Sequence, residues 1–352
     1  MTNVHSRQDP LVLLDPQLLP EDRGQLVSAV PVLSASGVDL AALSARPADR
    51  HQAQQILADG TVFGRHACSD VQALDSRRWR ADAQYREHDE YFGVVRVTGS
   101  AGENFLAGLV AAYLRVVDHV DRCGTDLSDV QWKALIGLPY RTFGYASTAH
   151  AIPQAAQARP RALVMTQESA FARWQVGHQL YFVVIQSLAV AVLCAIRAAQ
   201  NNDGASVVDA LALASSCAEA AGASMHFTSE LAPPVYAERV RPTMLPPHVG
   251  PGFSGFQTRD HRRLVTVFRQ LHAVRADLAA VGEPYAAFVS AIEDMYSDHA
   301  GVCAHFGGTS KPSLRMALSD KQAATSGVEV ATQIARGRIA LIEPPRRCPL
   351  HG

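Results

Sequence analysis

Residues 283–306 read EPYAAFVSAIEDMYSDHAGVCAHF, and the spacing of apolar side chains in this stretch decides the fold. Tyr285, Phe288, Val289, Ile292, Met295, Tyr296, His299, Val302, Cys303 and Phe306 recur every three or four residues, the period of a helix with one buried face. His299 and Cys303 share that face. Side chains at i and i+4 stand ~5 to 6 Å apart at their Cβ atoms. A haem needs an axial nitrogen over iron, and a covalent tether needs a thiol at the ring edge, an offset of about that size. The same pair also suits a plain core, with the histidine satisfied by a backbone carbonyl beside an inert buried thiol.

Outward from this stretch the helical period dominates. It predicts further helices near 102–121, 167–200, 205–231, 259–281 and 319–340, with one short strand candidate at 92–97. The fold class expected is all-α, a helical bundle. Two segments, 137–161 and the proline- and glycine-rich 233–255, are expected to be non-helical. The first hundred residues are irregular, residues 344–352 have the composition of a loose tail, and no repeat is visible, so residues 1–352 read as one domain. The run 179–196 is almost wholly apolar and approaches the ~20 residues a membrane span needs. Gln186 within it and His178 beside it favour a buried central helix.

Lys and Arg total 32 against 33 Asp and Glu, so no charge excess draws the chain to nucleic acid or to an acidic membrane surface; a small-molecule or protein partner is expected. The six cysteines, Cys68, Cys123, Cys194, Cys217, Cys303 and Cys348, are scattered without a C-x-x-C pair, which suggests reduced thiols. No basic leader precedes an apolar run at the N-terminus, so a cytoplasmic location is expected. The oligomeric state stays open, a homodimer included.

Upstream of the first stretch come Arg241-Pro242 and then GPGFSGFQ at 250–257. Ser254-Gly255-Phe256-Gln257 resembles the S-G-F-Q element of the tryptophan dioxygenases. Arg241 resembles the arginine that holds the substrate carboxylate in the tryptophan and indoleamine dioxygenases, and Tyr296-x-x-His299 looks like their proximal-histidine segment. A histidine, a long gap and then H-x-x-x-C is similar to the haem-dependent tyrosine hydroxylases of antibiotic pathways in that superfamily. The resemblance covers roughly residues 236–315. It implies a helical bundle of the tryptophan-dioxygenase type enclosing a c-type haem with a single thioether. His299 would be the proximal ligand, Cys303 the thioether anchor and His261 a displaceable second axial ligand. Arg241 would be the carboxylate clamp, with Ser254 and Gly255 near the haem edge or substrate. The reaction implied is hydroxylation, by hydrogen peroxide, ortho to the phenol of 3-methyl-L-tyrosine or L-tyrosine.

The residues themselves leave alternatives. His272 lies on much the same helical face as His261, and Arg239 rivals Arg241. His178, on a face with Phe171, Trp174, Phe182 and Ile185, and His88, among charged residues, are candidate bases for a phenol. Gly250 to Gly255 satisfies G-x-G-x-x-G but follows a proline-rich loop rather than a strand, which argues against a dinucleotide. Cys348-Pro349 offers a thiolate only from the tail. Competing functions are a haem b dioxygenase opening an indole ring, for which Cys303 would be unnecessary, a non-enzymatic bis-histidine haem protein, and a cofactor-free helical interaction protein.

Overall fold

In the computed structural model the described residues are 9–58, 79–147, 160–250, 253, 258–309, 313–314 and 325–344. In chain order these form strand β1 (Leu11–Leu14), helices α1 (Arg23–Ala35), α2 (Ala41–Ser44), α3 (Pro47–Ala58) and α4 (Trp79–Tyr91), and strand β2 (Val94–Val97). There follow α5 (Ala101–Cys123), α6 (Asp129–Ala146), α7 (Gln167–Gln200), α8 (Gly204–Thr228), the short α9 (Pro233–Val235), α10 (Arg259–Ala279), α11 (Glu283–His305) and α12 (Gly327–Ile342). The fold is all-α, with one small pair of strands.

The long apolar run becomes the axis of the molecule. Residues 179–196 of α7 are buried without exception, because α5, α8 and α10 pack around the helix. This helix is long and apolar enough to cross a membrane, yet 89% of its apolar window is covered by the protein's own elements. Thr166 caps its first turn, accepting the Ser169 N–H at 3.2 Å. At the other end Asn202, with φ 57°, takes the left-handed turn that sends α8 back against α7.

Polar residues at this core are paired. Arg96 on β2 is held between Asp89 of α4 (2.8 Å) and Asp260 of α10 (2.6 Å). Gln186 of α7 donates to Asp260 at 2.8 Å and to the Leu14 carbonyl at 2.9 Å. Four elements are thereby fixed to the start of α10.

Several expectations change. The strand expected at 92–97 is Val94–Val97, and it pairs in parallel with Leu11–Leu14, Leu11 opposite Val94; a four-residue apolar run shows no alternation that would announce the partner. The expected loop at 137–161 is helical through Ala146, since α6 starts at a Ser128/Gln131 capping box and carries the buried Pro139 inside it. Burial of that apolar face outweighs the proline penalty. The expected loop at 233–255 begins as helical turns: α9, a π turn at Tyr236–Val240 and a 3-10 turn at Arg241–Met244. The helix expected from 319 starts at Gly327, after the Ser326 cap; residues 319–324, and the tail from 345, lie outside the described residues.

Candidate active site

The first two-thirds of α11 bury Tyr285, Phe288, Ile292, Met295 and Tyr296 in the core. A close approach to α8 fixes its last third. A side chain at Gly222 would collide with Asp298, whose carboxylate lies 3.0 Å from His226 Nε2. Beyond this point the apolar face of α11 meets open space: His299, Val302, Cys303 and Phe306 line a largely apolar cavity of roughly 1190 Å³, mouth included.

His299 and Cys303 sit as their spacing predicts, with Sγ 3.8 Å from Nδ1. Burial, and then the nearby His178, hold the His299 imidazole down at about 4, so it is neutral at physiological pH. Burial pushes the Cys303 thiol up to about 11. Among the described residues no three His, Cys, Asp or Glu side chains converge on a metal position. A neutral imidazole and a thiol four residues apart on one helix fit a porphyrin, which brings most of its metal's ligands with it.

Across the cavity α7 contributes Trp174, His178 and Tyr181. His178 Nδ1 donates to the Trp174 carbonyl at 2.8 Å, so in the neutral ring Nε2 is the acceptor. Burial is the main cause that lowers this imidazole to about 4, with His88 adding to it. Its ring stacks on Phe92 at 4.3 Å.

Arg241 stands in the same wall. The π turn explains how: the Arg241 N–H closes on the Tyr236 carbonyl, five residues back, so Tyr236 and Arg241 face the same side where an α-helix would splay them. Tyr236 also hydrogen-bonds Arg241 through its side chain and stacks on Phe306 at 3.9 Å. Arg239 points elsewhere, donating to Gln167 at 3.0 Å in an exposed position.

The other expected residues are not brought to the cavity. His261 is buried on α10 with Nε2 3.3 Å from the Tyr296 hydroxyl, and His272 Nδ1 donates to the Leu341 carbonyl at 3.0 Å; neither lines the cavity. His88 is buried rather than among solvated charges, its ring stacked 4.2 Å from Phe253, which does line it. Ser254 and Gly255 lie outside the described residues. Sequence reading missed Tyr181, Tyr236 and Phe306 as wall residues. Tyr181, three residues beyond His178 on the same face, was legible; Tyr236 depends on the π turn and was not.

A mainly helical protein with imidazoles from two helices, a thiol and a guanidinium around one cavity is equipped to hold a prosthetic group and an organic acid together. Comparison with known proteins gives this class its family. The model of the SfmD 3-methyl-L-tyrosine peroxygenase family matches residues 12–286, and the chain belongs to that family. It is 31% identical over 266 residues to the 3-methyl-L-tyrosine peroxygenase of Streptomyces lavendulae, covering 74% of this chain and 72% of that protein. It is similar to the crystal structure of reduced SfmD, obtained by soaking with sodium hydrosulfite, with a TM-score of 0.68 and 26% identity, over 85% of this chain and 99% of that one.

Proposed function

We propose that this protein is a haem-dependent peroxygenase that hydroxylates 3-methyl-L-tyrosine, or a tyrosine close to it, ortho to the phenol. The observation that carries this reading is the meeting of His299, Cys303, His178 and Arg241 in one cavity of a chain from the 3-methyl-L-tyrosine peroxygenase family. In balance, the aromatic C–H and hydrogen peroxide become a C–OH and water. Haem, when bound, would supply the redox chemistry that divides peroxide and delivers one oxygen atom.

The chain's residues do the rest. His299, kept neutral by burial, would be the ligand to the metal. Cys303 would form a single thioether, by addition of its S–H across a vinyl double bond, a step that needs no oxidant. Arg241 offers a planar fork of donors for the amino-acid carboxylate, held in place by Tyr236. His178 Nε2 can take a hydrogen bond, and then a proton, from the phenol. The apolar walls from α7, α11 and α12 limit water near the reacting ring. His261 remains the candidate for a second ligand to the metal; to serve, it would exchange the Tyr296 hydroxyl for it.

The test is a denaturing gel stained for haem, run on the wild type, Cys303→Ala and His299→Ala. Haem should stay with the wild-type chain and leave Cys303→Ala. A wild-type chain that never retains haem refutes the thioether and favours the indole-dioxygenase reading, which has no use for Cys303.

A further inference from the structure

Two polar atoms on the α7 side of the cavity have no hydrogen-bond partner among the described residues. His178 commits Nδ1 to the Trp174 carbonyl, which leaves Nε2 as a bare acceptor. Tyr181 follows three residues later on the same face, is 7% exposed, and lines the same cavity. Its hydroxyl makes no hydrogen bond with any described residue. Both residues line the cavity. A buried donor and a buried acceptor left unmatched are unfavourable, so whatever occupies the cavity is expected to match them.

The polarity of the pair restricts the group that fits. A carboxylate brings no hydrogen for Nε2, and its natural place is Arg241, which offers only donors. An ammonium accepts nothing from Tyr181. A hydroxyl does both. We propose that His178 and Tyr181 together grip the phenol hydroxyl of the bound amino acid, Nε2 accepting its hydrogen and the Tyr181 hydroxyl donating to its oxygen. Tyr181 is then a specificity-determining residue: a ring without the hydroxyl leaves the pair unmatched. Sites built around a substrate hydroxyl reject the analogue that lacks it by as much as ~10⁴- to 10⁵-fold. The proposal rests on the reading of the cavity as one for a tyrosine-type amino acid.

The experiment is calorimetric binding of 3-methyl-L-tyrosine and 3-methyl-L-phenylalanine to the full chain with its resident cofactor, in the wild type, Tyr181→Phe and Arg241→Ala. Tyr181→Phe removes one oxygen and no carbon. It should weaken 3-methyl-L-tyrosine about tenfold while leaving 3-methyl-L-phenylalanine within roughly twofold, so that discrimination falls. Equal losses for both ligands, or no loss for either, with Arg241→Ala still weakening both, overturn the Tyr181 assignment and leave the amino-acid reading standing. A wild type that binds the two ligands equally and is indifferent to Arg241→Ala overturns both.

Discussion

Replacing Gly177 by alanine tests the junction that sets the wall of the cavity. Gly177 precedes His178 on α7, where α8 ends against it. A Cβ built there would stand 2.8 Å from Thr228 Cβ and 2.9 Å from Thr228 Cα. Carbon atoms in good contact sit ~3.5 to 4.0 Å apart, so roughly 1 Å must be found. The Thr228 side chain has little freedom to yield, since its hydroxyl donates to the Ser224 carbonyl at 2.6 Å, and Cα belongs to the helix itself. Overpacking of this kind costs about 1–3 kcal/mol, against a gain of about 0.5–1 kcal/mol for alanine over glycine in a helix. The net expectation is a loss of about 1–2 kcal/mol in urea unfolding. Gly144 in α6 is the control: nothing lies within 4 Å of its built Cβ, so Gly144→Ala should stabilise by about 0.5–1 kcal/mol. Ligand affinity should fall with the first variant and not with the second, because only the first moves His178 and Tyr181. A Gly177→Ala protein as stable as the wild type would refute the close-approach reasoning.

Other perturbations separate parts of the site and the core. Arg241→Ala should raise KM for the amino acid by ~10- to 100-fold, the worth of a charge-assisted pair, with a much smaller change in kcat; an unchanged KM removes the clamp. Asp260→Ala leaves the buried Arg96 with Asp89 alone and takes a partner from Gln186, so a loss of about 3–5 kcal/mol is expected in denaturant unfolding. His119, buried on α5, is held down at about 3 by burial and then by Arg173 and Arg122, against 6.5 for the free group. Below pH 6.5 the unfolded chain therefore binds a proton that the folded chain refuses. The contribution of this residue is complete above that pH and is lost as pH falls from 6.5 towards 3. His119→Leu should flatten the fall in Tm between pH 7 and pH 5, and an unaltered slope would count against it.

What could be read from the sequence was what lies on one helix. His299 and Cys303 share a face of α11, and His178 shares one with Tyr181 on α7, because the helical period fixes both before any tertiary contact forms. What could not be read depended on other parts of the chain. Arg239 and Arg241 are equivalent until a π turn sends one into the cavity and leaves the other on Gln167. His261 and His272 share a periodicity, and only packing gives one the Tyr296 hydroxyl and the other the Leu341 carbonyl. The segment from residue 137 reads as non-helical, and burial of α6 carries the helix through Pro139 to Ala146. Leu11–Leu14 is too short to alternate, so its pairing with a strand some eighty residues away was invisible.

The family similarity and the H-x-x-x-C spacing bear on different parts of the chain. The family model ends at residue 286, so it spans α7, the π turn and α10, with His178, Tyr181 and Arg241, but stops short of His299 and Cys303. The case for the last two rests on spacing and on where α11 lies. Had that spacing been a packing accident, the imidazole and thiol could have faced any part of the core, as Tyr285 and Phe288 do on the same helix. Instead they open onto the cavity that His178 and Tyr181 of α7 and Arg241 at the π turn, all in the family-matched segment, also line. Each half lacks what the other has. The matched walls offer a guanidinium and a hydrogen-bond acceptor but no thiol, and α11 offers an imidazole and a thiol but no cation for an organic acid. The proposed oxygen transfer needs both in one cavity, and the packing of α11 against α8 through Gly222 and Asp298 is what brings them together.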